Sequence, residues 1–174
     1  MAEEAKRPED AVDVIVRQWR AERPDLDPSA KEISGRIVRL ADLFQRRYAA
    51  AFEAVGLTDG DYGLLAALRR SGEPFALTPT DLARARMMTS GGMTAVIDRL
   101  ARQGLVERIP NPNDRRGSLV RLTDVGRAKV DEAMPRHAAA EQELVARLDE
   151  RDRDRLVDLL RTLLLDVEGP PPSA

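Results

Sequence analysis

Cysteine is absent from this chain of 174 residues, and histidine occurs once, at His137. The first absence excludes disulfides, thiolate nucleophiles, cysteine-based peroxide sensing and Cys-ligated zinc. The second excludes a metal site built from several histidines of one chain. Aromatic residues make up only 3%, so the core has to be aliphatic. No apolar run approaches the ~20 residues needed to span a bilayer. The opening MAEEAKRPED is acidic and polar, without a signal-peptide core. The chain thus reads as cytoplasmic, with no membrane partner. It also lacks a Gly-rich phosphate loop after a strand and a nucleophile–base pair, which leaves little for catalysis. No enzyme activity, cofactor or metal is expected.

What is present is a globular balance of 43% hydrophobic and 33% charged residues, with a net charge of −2. The charge is unevenly spread. Residues 84–121 carry 8 arginines against Asp98, Glu107 and Asp114, a local charge of +5, whereas residues 122–174 carry −4. A basic middle between acidic ends suggests a localised face for a polyanion, and on charge alone a solvated mixed surface explains it equally well.

The hydrophobic pattern is mostly helical. Val12, Ile15, Val16 and Trp19 recur on one helix face, which Arg23-Pro24 ends. Ser29 to Glu32 has the form of a capping box, opening a helix with the stripe Ile33, Ile37, Leu40, Phe44, Tyr48 and Phe52, stopped at Gly56. Thr58 and Asp61 cap a third helix. Pro74 to Leu77 is a short extended piece. Thr78-Pro79-Thr80-Asp81 opens a helix of about two turns. After Met87-Met88, Thr89 or Ser90 caps another helix, with Met93, Ile97 and Leu100 inward and Gly104 as its stop.

Two short strands around a tip rich in Pro, Asn, Asp and Gly, residues 110–117, make a hairpin. Thr123 caps a long helix containing Pro135, where a kink is expected. Asp149 caps a last helix with a broad leucine face. His137 reads as a helix-surface residue.

A short helix, a turn, a second helix and a hairpin form a winged helix-turn-helix. The fold is therefore expected to be mainly α with a small β-hairpin wing. The short helix braces the next one across the DNA backbone, and the helix from Ser90 to Gln103 has the size to enter a major groove. Its first turn, Ser90, Gly91, Gly92 and Thr94, is small or hydroxyl-bearing and allows close approach. If Met93, Ile97 and Leu100 face inward, Thr94, Ala95 and Asp98 face outward, with Arg99 and Arg102 further along the exposed side. The hairpin tip offers Arg115 and Arg116 to a narrowed minor groove. The expected DNA-facing set is thus Thr89, Ser90, Gly91, Thr94, Ala95, Asp98, Arg99, Arg115 and Arg116.

The expected organisation is a tail at 1–8, dimerisation helices at 9–57, a DNA-binding lobe at 58–123, further dimerisation helices at 124–168, and a tail at 169–174. The N-terminal stripe and the last helix carry more apolar surface than a small wing domain can cover. A second copy of the chain is the expected cover.

The stretch MMTSGGMTAVIDRLARQGLVERIPNPNDRRGSLVRLTDVG resembles the MarR family of transcriptional regulators. Asp114 to Thr123 matches that family's wing pattern, D-x-R followed by V-x-L-T. The resemblance runs over about 29–167 in element order and is specific over 77–127. It implies a homodimer joined through its N- and C-terminal helices, a pseudo-palindromic operator on double-stranded DNA, and repression relieved by a small molecule. It also implies that Arg116 enters the minor groove, oriented by Asp114. Arg115 then touches a phosphate or shares that role, and Ser90 and Thr94 lie in the major groove.

Trp19, on an extra N-terminal helix, is similar to the tryptophan of a urate-responsive branch. The aspartate and arginine that accompany it there are Gly63 and Val96 here, which argues against urate. The alternatives for Trp19 are packing in a core or interface, and a pocket for a flat aromatic or anionic ligand with Arg36 and Arg39. The competing reading of the whole chain is a helical dimer that acts through protein partners and binds DNA only non-specifically.

Overall fold

The computed structural model describes residues 8–86 and 90–169, with Arg86, Ser90, Gly91, Arg115 and Arg116 described by their backbone alone. Met87, Met88, Thr89 and both expected tails, apart from Pro8 and Gly169, lie outside the described residues. The elements are α1 (Ala11–Glu22), α2 (Ser29–Glu53), α3 (Asp59–Arg70), β1 (Ala76–Leu77), α4 (Pro79–Arg86), α5 (Ser90–Arg102), β2 (Val106–Asn111), β3 (Asp114–Leu122), α6 (Asp124–Val145) and α7 (Glu150–Glu168). The mainly helical class with a small wing is as expected. The chain forms two compact units, Met1–Arg47 and Tyr48–Ala174, which divide inside α2.

In the first unit, α1 opens with a capping box. Asp10 accepts the Val12 and Asp13 backbone N–H groups, and Asp13 accepts that of Asp10. Val12 and Val16 are buried, whereas Ile15 and Trp19 are exposed. The first pair therefore faces α2 closely: a Cβ on Gly35 would sit 3.1 Å from Val12 Cγ1. The expected capping box at Ser29 is corrected. Asp27 accepts both the Ser29 N–H and the Ser29 hydroxyl, each at 2.9 Å, so the aspartate two residues upstream starts α2. Of the α2 stripe only Phe52, in the second unit, is buried, and Ile33, Ile37 and Leu40 remain exposed.

The second unit holds the main core. Leu64, Leu65 and Leu68 of α3 pack with Leu82 of α4, Met93, Ile97 and Leu100 of α5, Val120 of β3, and Val130 and Ala133 of α6. The strands form one antiparallel sheet in the order β1-β3-β2. Ala76 pairs with Arg121, and Val106 with Leu122. The short extended piece thus adds a third strand to the hairpin. Pro110 lies within β2, which is an edge strand, where a missing N–H breaks no ladder on the open side.

Phe75 sits at a positive φ of 55°. Its carbonyl accepts the Leu122 N–H, and the Arg69 and Arg127 guanidiniums lie 5.3 and 5.1 Å from its ring centroid.

Thr123 caps α6, accepting the Gly126 N–H at 3.0 Å while its hydroxyl donates to the Gly104 carbonyl at 2.8 Å. Gly126 is required there, since a Cβ would lie 1.9 Å from the Leu105 carbonyl oxygen. Helix α6 runs on through Pro135 without interruption. Helix α7, capped by Asp149, buries none of its residues and exposes Leu156, Leu159, Leu160, Leu163 and Leu164.

Candidate nucleic-acid interface

Pro79 stands at the first position of α4, preceded by Thr78, whose Oγ1 accepts the Asp81 N–H at 3.1 Å and donates to its carboxylate at 2.7 Å. Helix α5 follows, with Met93, Val96, Ile97 and Leu100 buried and Thr94, Ala95 and Asp98 exposed. This division follows helical periodicity: the apolar residues meet the core, and the small and polar ones line the outer face. Ser90 and Gly91 form the first turn of α5 by their backbone. Thr89 lies outside the described residues.

Arg99 departs from the expected outward-facing role. Its Nη2 and Nε donate to Asp61 Oδ1 at 2.7 and 3.1 Å, and its Nη2 lies 3.3 Å from Thr58 Oγ1. Asp61 is only 3% exposed. Its second oxygen accepts the Thr58 N–H and hydroxyl at 2.9 and 2.7 Å. Burial alone would raise the Asp61 pKa. The Thr58 hydroxyl and N–H, followed by the Arg99 guanidinium, outweigh it, so the carboxyl is held below its ordinary value. No local signal pointed to this pair, since the partners lie 38 positions apart in the chain.

Asp98, on the outer face, accepts Arg108 Nη2 at 2.9 Å. Arg108 belongs to β2 and lies outside the set expected from the sequence.

The wing is longer than expected and its turn shorter. The turn is Pro112-Asn113, and Asn113 donates its N–H to the Asn111 side chain. Arg115 and Arg116, expected at the tip, belong by their backbone to β3 just after it. Asp114, opposite Asn111 in the register, holds its carboxylate over Gly117: a Cβ there would meet Oδ2 at 2.8 Å. The strand bases are tied across the register by Arg121 Nη2 and Glu107 Oε1 at 2.7 Å.

Among the described residues, Arg36 and Arg39 line two different grooves. Arg36 is held by Asp10 at 2.8 Å, Asp13 at 2.6 Å and the Glu32 carbonyl at 2.7 Å. Its charge is already balanced by two carboxylates, contrary to its expected use as an open anion contact. Arg39 lines a separate groove with Val12, Ile15 and Val38, and Trp19 lines neither.

His137 is also corrected. Its ring stacks on Phe52 at 5.4 Å, lies 4.6 Å from the Tyr48 ring, and places Nδ1 3.3 Å from the Tyr62 hydroxyl and 3.6 Å from Glu141. It is part of an aromatic cluster rather than a free surface side chain.

Comparison with known proteins agrees with this geometry. A model of the MarR family matches residues 55–117. The HTH-type transcriptional regulator PecS of Dickeya dadantii (strain 3937) is 34% identical over 146 residues, covering 84% of this chain and 88% of that protein. Sco3205, a MarR family transcriptional regulator from Streptomyces coelicolor solved in complex with DNA, superposes with a TM-score of 0.75 at 25% identity, over 86% of this chain and 92% of that one. BpsR of Bordetella bronchiseptica, whose DNA binding is described as regulated by 6-hydroxynicotinic acid, superposes at 0.68 with 28% identity, over 75% and 91%.

A carboxyl with a lowered pKa contributes stability that is fully present above its ordinary pKa of 3.8 and is lost as pH falls through the lowered value. Asp61→Asn is therefore expected to lower unfolding stability at neutral pH by about 1–3 kcal/mol. The gap from wild type should narrow below pH 3.8. Denaturant midpoints measured from neutral to acid pH check this, and a constant gap would contradict it.

Proposed function

Since the chain belongs to the MarR family of transcriptional regulators, we propose that this DNA-binding regulator is a homodimeric repressor of a pseudo-palindromic operator, working in the cytoplasm. The observation that carries the reading is the juxtaposition of α5, with Thr94 and Ala95 exposed on its outer face, and a wing whose β3 begins with Asp114, Arg115 and Arg116.

In this reading the N-terminal turn of α5, with Thr89, Ser90 and Gly91 at its start, approaches the major groove, where a helix fits and base edges are distinguishable. Thr94 and Ala95 meet base edges. Arg116, oriented by Asp114, enters the minor groove, and Arg115 contacts backbone phosphate. Asp98 and Arg99 contribute from the same helix through their protein partners.

The dimer rests on apolar surface. Ile15, Trp19, Ile33 and Ile37 in the first unit, and the leucines of α7 in the second, are exposed in the single chain. Faces of this kind bury ~25 cal/mol per Å² when covered. A two-fold axis then presents two copies of α5 to half-sites about one helical turn apart. Release follows when a small molecule changes the spacing of the two recognition helices, so that one loses register.

The effector class supported is a flat aromatic acid, because the DNA binding of BpsR is described as regulated by one and because Trp19 offers an exposed ring on α1. Arg36 joins such a site only by giving up its two carboxylates.

Replacing Arg115 and Arg116 by Ala is expected to abolish most DNA affinity, to lower the salt slope by about two, and to leave the dimer unchanged by sedimentation. Unchanged affinity would refute the wing assignment, and a monomeric wild type would refute the two-fold reading. Trp19 is the only tryptophan of the chain. Its emission should therefore fall in step with loss of DNA binding as an aromatic acid is added. Release of DNA with unaltered emission would place the effector elsewhere.

A further inference from the structure

Asp98 and Arg99 are neighbours on α5, yet their side chains are tied in different directions. Asp98 accepts Arg108 Nη2 of β2 at 2.9 Å. Arg99 donates twice to Asp61 Oδ1 in the first turn of α3, at 2.7 and 3.1 Å. The helix expected to read DNA is therefore held by two ion pairs, one to each flanking element. The polarity is opposite in the two: α5 supplies the carboxylate toward the wing and the guanidinium toward α3.

The first turn of α3 also lies against α5, since a Cβ on Gly60 would come within 3.7 Å of Val96 Cγ2 and 3.8 Å of Arg99 Nη2. The buried face of α5, Met93, Ile97 and Leu100, holds the helix in the core, and the two ion pairs add directional polar constraints on the roll of its outer face. Base-edge hydrogen bonds tolerate only about half an ångström of misplacement, so the roll of α5 decides which edges Thr94 can reach.

We propose that Arg99 and Arg108 are positioning residues for sequence recognition rather than DNA contacts: through Asp61 and Asp98 they fix the roll of α5 against α3 and the wing. The inference rests on the DNA-binding reading above. Both guanidiniums are engaged by carboxylates of the protein, which leaves them poorly placed to neutralise phosphate. The Arg108 partner also cancels a negative charge on the exposed face of α5 that would otherwise repel the DNA backbone. The Asp98–Arg108 pair is exposed, with side chains 56% and 41% accessible, and an exposed pair adds little to stability. Its loss should therefore be read in recognition, with the fold retained.

The test compares wild type with Arg108→Ala, Arg99→Lys and the double swap Asp98→Arg with Arg108→Asp. Each is titrated with the duplex that wild type enriches from a random pool and with a random duplex, over a range of salt, after thermal unfolding confirms that it folds. A phosphate-contacting arginine lowers the salt slope by about one and weakens both duplexes alike. A positioning residue behaves differently. For Arg108→Ala, the expected result is a loss of about tenfold in the ratio of enriched to random affinity, the value of one base contact, with the slope intact. Arg99→Lys keeps the charge but loses the two-nitrogen grip, and should act in the same direction. The swap should recover most of the ratio.

A slope lower by about one with the ratio unchanged would overturn the inference, and so would a swap that recovers nothing. A wild type that enriches no sequence would overturn the DNA-binding reading itself, before any variant is measured.

Discussion

The two oxygens of Asp61 are shared between two tasks. One takes the Thr58 N–H and hydroxyl that close the cap of α3, and the other takes the Arg99 guanidinium of α5. A carboxylate 3% exposed would be costly if unpaired, so its burial obliges both elements to arrive together. The start of α3 is thereby also the anchor of the helix expected to face DNA. The remaining parts of the second unit build on that junction. Leu64, Leu65 and Leu68 pack against Ile97 and Leu100 below it, and Arg108 ties the root of the wing to the next residue along α5. Thr123 and Gly126 then dock α6 against Gly104 and Leu105, where α5 ends.

Outside this core the molecule leaves apolar surface in the open. Helix α7 buries nothing in the single chain despite its run of leucines, and Ile33, Ile37 and Leu40 of α2 are exposed as well. Exposed apolar faces of this kind mark an interaction surface. The proposed dimer covers them with a second copy, and the same two-fold axis turns one modest DNA-reading element into a pair. In that proposed dimer, affinity and register would depend on the spacing between copies, the quantity that the proposed effector would change.

Elements governed by local rules were legible in the sequence. The caps at Thr58, Thr78, Thr123 and Asp149, the stops at Gly56 and Gly104, and the inward set Met93, Ile97 and Leu100 all stand where periodicity and capping chemistry put them. The misses share a cause: each depends on a contact distant in sequence, or on two rules competing for one residue. Arg99 reads as an outward, DNA-facing residue because its helix phase and charge point outward, whereas its carboxylate lies 38 residues away. His137 looked like a surface residue because nothing near it in the chain announces Phe52 and Tyr62. At α2, Ser29 satisfied the capping-box pattern, but Asp27 reached the same N–H first. The wing strands were drawn too short because Pro110 and Gly117 signal a turn. An edge position accommodates that proline, and the Asp114 carboxylate fills the space above that glycine.

The central claim is that this chain reads DNA sequence as a two-fold pair of recognition helices. Selection of bound duplexes from a random pool at about 150 mM salt, followed by sequencing, tests it most directly. The expected result is a two-fold-symmetric motif with half-sites about one helical turn apart. Enrichment of no motif, with binding lost at modest salt, would contradict it and leave the basic stretch from Arg84 to Arg121 as a non-specific polyanion surface.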